Sequence, residues 1–415
     1  MNATLDNLPL ERTEQPTSPE ALADVVREAH ETETPVYPIG GGCSLNFGLP
    51  AKKPGIGLSL TALHRVIDYP ARDMTITVEA GATMAQLRDT LLAERQQLPI
   101  DVPMTDRATI GGVVATNWNG PRRYGYGAVR DFVIGIGAVD GRGRAFKGGG
   151  RVVKNVAGYD FCKLLTGSLG TLAVITQVTL KVRPLSEASV LLACRAFDEE
   201  HAERLLAALA HSAASPCAIE LLGGDAWHDI GEQLGGGGER ELTLVVGLEG
   251  TRTEVDWMQQ RLAAEWRELN ATKSQAFAGG DATALWQRLV DFAANGESPL
   301  VVRANVMPSG VAPMIHAFRQ VDAGCSIHAH AGNGVVTATF ADTPAEGLSR
   351  TLLSRLQPVA SKHLGSVSVL SNPSGAERTH QSVWGIPSSP LELMEAVKRE
   401  FDPRGILNPG RFVVG

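Results

Sequence analysis

The first 186 residues alternate between apolar positions at helical spacing and short apolar runs typical of strands. Behind Ser18 and Pro19, which suit a helix N-cap and first turn, apolar residues recur on one helical face from Leu22 to Ala29. Strand-like runs follow at 36–39, 56–60, 66–69, 75–79 and 133–139. Thr83 with Gln86 predicts a capped helix start, and the glycines at 141 and 143 predict a hairpin turn after the last run.

From about residue 187 the pattern changes to longer apolar runs separated by amphipathic segments. Runs at 190–194, 242–246, 300–306, 335–339 and 367–370 predict strands. Thr251 with Glu254 and Thr343 with Glu346 predict two helix starts. This half therefore predicts an α+β layer, in which an antiparallel sheet carries helices on one face.

Composition and charge narrow the class of protein. The chain has 415 residues, 43% of them hydrophobic and 20% charged, which suits two or three soluble globular domains. A net charge of −7 without a Lys/Arg cluster excludes nucleic acid as a partner. The N-terminal segment lacks the pattern of a signal peptide, and no apolar run is long enough to cross a bilayer. We therefore expect a cytoplasmic chain with no direct membrane span.

Cysteine spacing limits what the chain can bind by itself. The five cysteines are scattered at Cys43, Cys162, Cys194, Cys217 and Cys325, and no Cys-x-x-Cys pair occurs. Neither a four-thiolate iron–sulfur cluster nor a zinc ribbon can be built locally from such spacing. If the protein passes electrons to an iron–sulfur centre, that centre lies on another chain.

Three glycine clusters compete as phosphate-binding loops. Residues 38–44 follow a predicted strand, and consecutive glycines there can turn several N–H groups toward an anion, although a plain tight turn is the alternative. Residues 109–117 let a ligand approach the backbone closely, with a helix start as the alternative. The glycines at 135–141 lie inside a predicted strand that leads to a hairpin, so they do not form a dinucleotide fingerprint.

The order of these motifs resembles a known family. Pro38–Ser44, Val78–Gly81, Thr109–Gly112 and Gly167–Thr176 are similar to the para-cresol-methylhydroxylase-type FAD-binding domain, over residues 18–186. Phe401–Arg411 resembles the closing motif of the FAD-linked oxidases. The resemblance implies an α+β fold. In it, a two-subdomain FAD-binding domain at 18–186 is followed by an antiparallel-sheet-plus-helices cap domain at 187–400 and a segment at 401–415 that returns to the flavin.

A closer resemblance is to the FAD-binding subunit of glycolate oxidase. It is carried by Gly120–Arg123, Gly127–Phe132 and Gly150–Asp160. It implies oxidation of glycolate, a small 2-hydroxy acid, within a complex that contains a homologous catalytic flavoprotein subunit and an iron–sulfur subunit. Any association with the inner membrane would then be made through those partners. The alternative is a stand-alone FAD-linked dehydrogenase for D-lactate or another 2-hydroxy acid.

The resemblance also implies which residues hold FAD. The first cluster would hold the pyrophosphate, the second would meet the middle of the cofactor and the flavin side, and the remaining residues would contact the adenosine or the ring. These positions are Gly40, Gly41, Gly42, Cys43, Ser44, Thr109, Gly111, Gly112, Thr116, Asn117, Gly170, Ile175, Asn408 and Arg411. Some relatives attach FAD to a histidine beside the first cluster. Because Cys43 stands there and no histidine is adjacent, we expect non-covalent FAD.

The second half carries an incomplete form of a metal-binding motif found in related dehydrogenases. His330 occupies the first histidine position of the pattern His-x-Gly-Asp-Gly-Asn-Leu-His, but Asn333 replaces the aspartate and Thr337 the second histidine. The later Glu-His-Gly is also missing, and Asn372 lies in the segment that takes its place. One imidazole cannot replace two imidazoles and a carboxylate, so this pattern predicts no metal.

Two hypotheses of different class follow. In the first, the chain oxidises a hydroxy acid at its own FAD, with His330 or His328 as the base and Arg303 as the carboxylate anchor. In the second, it is a non-catalytic flavoprotein subunit that relays electrons or supports a catalytic homologue. The incomplete motif favours the second, because catalysis needs the whole set of groups at once.

Overall fold

A computed structural model of the chain describes residues 8–150, 158–236, 238, 240–271, 273–294, 300–372, 377–385 and 391–414. Most of the predicted motif at 150–160, and residues 373–375 of the segment that replaces Glu-His-Gly, lie outside the described residues. The chain divides into two compact units. The first comprises the described parts of Met1–Asn119, Gly127–Leu185 and Pro387–Gly415; the second comprises those of Gly120–Tyr126 and Ser186–Ile386.

The elements are numbered in chain order. The strands are β1 Leu10–Glu14, β2 Val36–Ile39, β3 Gly55–Ser59, β4 Val66–Asp68, β5 Thr75–Glu79, β6 Gln96–Gln97, β7 Val133–Asp140, β8 Ala145–Gly149, β9 Ala173–Lys181, β10 Arg183–Pro184, β11 Ala188–Ala196, β12 Ala218–Gly223, β13 Leu242–Gly250, β14 Ser274–Ala278, β15 Leu300–Asn305, β16 Ser326–His330, β17 Val335–Phe340 and β18 Ser366–Ser371. The α-helices are α1 Pro19–Glu31, α2 Met84–Leu92, α3 Ile110–Thr116, α4 Arg123–Tyr126, α5 Val129–Phe132, α6 Phe161–Leu165, α7 Glu199–His211, α8 His228–Gln233, α9 Arg252–Glu268, α10 Gly279–Asp291, α11 Val311–Val321, α12 Leu348–Thr351, α13 Gln357–Lys362, α14 His380–Trp384 and α15 Leu391–Phe401.

The first unit contains two main sheets within its described residues. A small parallel sheet has the order β1-β3-β2, and a larger antiparallel sheet has the order β4-β5-β9-β7-β8. The predicted start of α1 is confirmed, because the Ser18 hydroxyl accepts from the N–H of Ala21. The glycines at 135–141 lie in β7 and its turn to β8, which confirms that they are not a strand-to-helix phosphate loop.

The C-terminal tail returns to the first unit and is fixed by a buried lysine. The Lys398 ammonium on α15 donates to the Asp402 carboxylate at 2.6 Å, to the Thr171 carbonyl at 2.7 Å and to the Leu407 carbonyl at 3.2 Å. Asp402 in turn accepts from the N–H groups of Ile406 and Leu407. Buried charges are tolerated only when paired and hydrogen-bonded in this way.

The second unit is built on one antiparallel sheet with the order β14-β11-β13-β12-β16-β17-β15-β18 in the described chain. Alternate residues of its strands point to opposite faces. One face packs against α7, α9 and α11 through an extended apolar core. Part of the other face packs against α8 and α10 through Leu191, Leu222 and Val245. The expectation of helices on one face was therefore wrong in detail.

The predicted helix starts in this unit had different outcomes. Thr251 and Glu254 form a reciprocal capping box at the start of α9, as predicted. The predicted start at Thr343 was wrong, since α12 begins only after Gly347, which has a φ of 87°. Glu346 instead forms an ion pair with Arg355, so its carboxylate does not reach back to a helix N-terminus.

The Lys398 network gives the first prediction. Replacing Lys398 with Met should lower the free energy of unfolding of the first unit by about 3–5 kcal/mol, because it leaves the Asp402 carboxylate buried without its cation. Urea unfolding followed by circular dichroism and FAD release measures this loss. Arg399→Met is the control: Arg399 is 3.8 Å from Glu395 and its side chain is 70% exposed, so a loss below about 1 kcal/mol is expected. Equal losses in the two variants would contradict the prediction.

Candidate functional site

The first glycine cluster forms a tightly packed loop at the end of β2. A Cβ on Gly41 would come within 1.7 Å of the Arg107 carbonyl oxygen, and one on Gly40 within 2.2 Å of the Thr109 hydroxyl. Gly42 has a φ of 72°, in the left-handed region that favours glycine. The half-buried Cys43 follows, and burial raises the pKa of its thiol. Three different constraints therefore require glycine at these three positions.

The second cluster starts helix α3. Thr109 is its N-cap, and Asn117 ends the helix in a left-handed conformation with a φ of 51°. A Cβ on Gly111 would lie 2.7 Å from that of Ala80, so close packing alone requires glycine there. The Thr116 hydroxyl donates to the Gly112 carbonyl at 2.8 Å. The helix-start interpretation is thus correct for this segment, and it does not exclude contact with a ligand.

The loop 167–171 packs beside α3. The N–H of Gly167 donates to the carbonyl of Val114, and that of Leu169 to the carbonyl of Ala115. Gly170 has a φ of 66°. The Ser168 side chain is 4% exposed, and its hydroxyl has no hydrogen-bond partner among the described residues. A buried polar atom of this kind fits a site that is completed by a ligand.

The tail contributes two of the predicted residues. The Asn408 amide donates to the Leu169 carbonyl at 2.6 Å, which joins the tail to the loop 167–171. The Arg411 guanidinium is buried and donates to the carbonyls of Leu45 and Phe47, just after the first cluster. Through these contacts Arg411 holds the C-terminal tail against the segment that follows the first glycine cluster. Its predicted position beside the flavin ring stays a prediction. So does the contact of Ile175, which lies buried in β9, with the adenosine or the flavin ring.

A cavity of about 350 Å³ opens beside the first cluster. Gly41, Arg107 and Thr109 line one side of it, and Thr83 at the N-terminus of α2 lines another. The Arg107 guanidinium donates to the Gly41 carbonyl at 3.1 Å. Asp106 and His64 also line the cavity, so its polar groups include a carboxylate beside the cation and the hydroxyl groups. The Arg107 guanidinium and the glycine backbone are the groups there that suit an anion such as a phosphate. The structure thus brings the first two predicted clusters to one cavity.

Polar residues of the second unit lie in a row across its sheet. Strand pairing places His328 opposite Thr337, Thr337 opposite Arg303, and Glu220 opposite His330. Directly opposed residues of antiparallel strands share a face, so these side chains lie on one side of the sheet. Glu220 accepts from Nε2 of His328 and from Nδ1 of His330, each at 2.6 Å and through the same carboxylate oxygen.

The electrostatics of this row are dominated by burial. Burial lowers the pKa of Arg303 to about 10, and the charge of Arg123 acts in the same direction. Arg303 therefore remains a cation at neutral pH. Burial also lowers the pKa of His328, while Glu220 opposes that shift. The face therefore presents a buried cation on β15 and, on β12, a carboxylate that is hydrogen-bonded to two imidazoles.

Comparison with known families identifies the chain. Residues 11–149 match the family described as FAD binding domain, and residues 185–412 match the C-terminal domain of FAD linked oxidases. The chain belongs to the FAD-linked oxidases. The resemblance and the fold class expected from the motifs are confirmed, and so is FAD as the cofactor. The buried Ser168 hydroxyl and the glycine positions that exclude a Cβ fit this cofactor.

Curated relatives of this FAD-linked oxidase are oxidoreductases. A D-lactate dehydrogenase of Archaeoglobus fulgidus is 28% identical over 410 residues, which cover 96% of this chain and 90% of that protein. The glycolate oxidase subunit GlcD of Bacillus subtilis is 24% identical and covers 95% of this chain and 87% of its own. The glycolate oxidase subunit GlcE of Escherichia coli is 36% identical over 172 residues, covering 41% of this chain and 49% of that protein.

Solved structures support the fold alone. That of p-cresol methylhydroxylase with bound substrate superposes with a TM-score of 0.72 at 17% identity, covering 97% of this chain and 88% of that one. No described helix combines the length and the apolar character that crossing a membrane requires.

Two residues of these sites were missed by the sequence analysis. Glu220 lies 108 residues before His328 and belongs to no motif; its only signal is a carboxylate inside the apolar run of β12. Ser168 belongs to a quoted motif but was given no role. The three predicted catalytic residues do lie on one face of the sheet, although their roles stay predictions.

The glycine loop gives the second prediction. Gly41→Ala should abolish FAD retention, because its Cβ would displace the Arg107 backbone and open the loop. The measurement is the ratio of flavin absorbance to protein in the purified chain, with re-binding followed by flavin fluorescence. Gly280→Ala is the matched control, since a Cβ there meets nothing within 4 Å. Full FAD content in Gly41→Ala would refute the assignment of this loop.

Proposed function

We propose that this chain is the FAD-binding subunit of a glycolate-oxidase-type complex. It takes part in oxidising a small 2-hydroxy acid, glycolate, to the 2-keto acid glyoxylate. Electrons leave through FAD to an iron–sulfur subunit, and a homologous flavoprotein is the second partner. The buried cation Arg303 on the same sheet face as His328 and His330, in a chain of the FAD-linked oxidases, supports a hydroxy acid as substrate. The subunit assignment is supported by the similarity to the glycolate oxidase subunits GlcD and GlcE.

The polar row has the groups that a hydroxy acid needs. Arg303 is a dehydrated cation that gains most from an incoming carboxylate, and it would anchor the acid. The imidazoles of His328 and His330, held by Glu220, would handle the proton of the hydroxyl group. FAD, when bound, supplies the acceptor for the hydride equivalent. We propose that FAD is held without a covalent bond, since no histidine is adjacent to the first glycine cluster and burial raises the pKa of the Cys43 thiol that stands there.

A stand-alone D-lactate-type dehydrogenase is the second candidate. The D-lactate dehydrogenase of Archaeoglobus fulgidus matches 96% of this chain at 28% identity, whereas the match to the glycolate oxidase subunit GlcD covers 95% at 24% identity and that to GlcE covers 41%. A chain of this kind would turn over alone, with an artificial acceptor. The sequence contains no Cys-x-x-Cys pair with which this chain could bind an iron–sulfur cluster locally, which supports an external electron acceptor in either case.

Substitution of Arg303 tests the proposed carboxylate anchor. Arg303→Met should reduce the rate of anaerobic flavin bleaching near 450 nm at low glycolate or D-lactate by about 100-fold or more, which corresponds to losing about 3 kcal/mol of a charge-assisted contact. Arg303→Lys should recover part of the loss. Arg267→Met, which changes an exposed arginine on α9, is the control. An Arg303→Met chain that bleaches as fast as the wild type would refute the anchor.

Purification from the native cell tests the subunit assignment. We expect a tagged chain to retain a second flavoprotein and an iron–sulfur protein in fixed ratio, and the isolated chain to bleach more slowly than the complex. Rapid bleaching by the isolated chain, with no partner retained, would favour the stand-alone dehydrogenase. Precipitation in acid should release all the flavin into the supernatant; flavin that stays with the protein would overturn the non-covalent assignment.

A further inference from the structure

Three potential ligand atoms converge on the sheet of the second unit. Glu220 on β12 lies directly opposite His330 on β16, and His328 precedes His330 by two residues on the same face. The carboxylate oxygen and the two ring nitrogens all lie within 4.8 Å of one another. Strand pairing fixes these positions, since all three residues lie within paired strands and none on a loop.

The side chains of this cluster are largely buried, and the hydrogen-bond partners of its two histidines differ from those of the buried His201. The side chains of Glu220 and His328 are 1% and 4% exposed, and that of His330 is 14% exposed. The buried His201 offers a contrast, because its ring nitrogens bond to backbone groups of Leu269 and Phe197. In the cluster, two imidazoles instead converge on one carboxylate oxygen.

We propose that Glu220, His328 and His330 bind a single divalent transition-metal cation. Two imidazole nitrogens and one carboxylate oxygen are the donor set that Zn²⁺ accepts, and three protein ligands leave a coordination position open. Binding replaces the two N–H···O contacts, so the shared oxygen and the nitrogens must separate from 2.6 Å to about 3.3 Å, the spacing of tetrahedral ligands about 2.0–2.1 Å from the metal.

This donor set is not the one that the incomplete sequence motif would have used. That motif pointed to positions 330 and 337 and to the segment after 371, where Thr337 and Asn372 stand. Only His330 is common to both sets. The prediction that the chain holds no metal rested on those missing ligands and did not consider Glu220, which strand pairing brings to His330 from 110 residues away.

The use of the cation rests on the proposed function, whereas its binding does not. An oxygen ligand at the open position becomes more acidic, as the hydroxyl of a 2-hydroxy acid must when its proton leaves. The same positive charge would add to that of Arg303 in attracting an anionic acid. Binding can therefore be tested without substrate, and its failure is separate from a failure to oxidise hydroxy acids.

The experiment uses the FAD-loaded full-length chain after treatment with EDTA. Titration with Zn²⁺, followed by calorimetry, should show one site per chain, with each ring proton retained on the imidazole nitrogen that does not bind the metal. Co²⁺ in place of Zn²⁺ should give the absorption bands of a low-symmetry site with nitrogen ligands at wavelengths beyond the flavin. A wild-type chain that binds neither ion at one equivalent overturns the proposal.

Variants then locate the site. Glu220→Gln keeps the shape of the side chain and should weaken Zn²⁺ binding by more than about 100-fold, since even changes outside the ligand set cost about 10–100-fold. His328→Asn should do the same. His316→Asn, an exposed histidine on α11, should bind like the wild type. Unchanged Zn²⁺ affinity in Glu220→Gln or His328→Asn, with folding verified by circular dichroism and FAD content, would overturn the assignment.

Discussion

The buried ammonium of Lys398 is the interaction on which the FAD-binding unit depends most. Two of its three acceptors, the Asp402 carboxylate and the Leu407 carbonyl, follow it by 4 and 9 residues, whereas the third, the Thr171 carbonyl, is 227 residues away in sequence. An ammonium group in a dry interior is stable only if nearly all its donors are used, so the segment after α15 and the loop at Thr171 must be positioned together. That requirement holds the tail in place beside the loop 167–171.

From this anchor the tail connects the parts of the FAD loop region. Leu407 pairs with Val36 at the start of β2, Asn408 bonds to Leu169, and Arg411 bonds to the carbonyls after the first glycine cluster. Each contact joins a residue from the end of the chain to one of the loops that carry the cofactor motifs. The C-terminal motif therefore holds these segments by donating hydrogen bonds to their backbone carbonyls. The resemblance had implied only a contact with FAD for Arg411.

In the second unit one face of the sheet forms the apolar core and the opposite face carries the polar residues of the candidate site. Alternate residues of β12, β16 and β15 enter the apolar core beneath α7, α9 and α11, while their neighbours, Glu220, His328 and Arg303, face the other side. The core stabilises the sheet without using the polar face. Loss of the aspartate, the second histidine and the Glu-His-Gly of the motif can then leave this face able to use other residues, because neighbouring strands supply candidates at fixed spacing.

The sequence alone determined the features that depend on near neighbours in the chain. Most of the strand positions, the caps at Ser18 and Thr251 and the family follow from local patterns that the structure and the comparisons confirm, but strands β12, β14 and β16 were not predicted. Thr343 shows where such local rules fail, since Glu346 is paired with Arg355 instead. Tertiary structure alone decided the meeting of Glu220 with two histidines, the Ser168 hydroxyl left without a described partner, the contact of Lys398 with Thr171 and the contacts of Arg411 with Leu45 and Phe47. These depend on strand order and chain return, and no spacing within one segment records either.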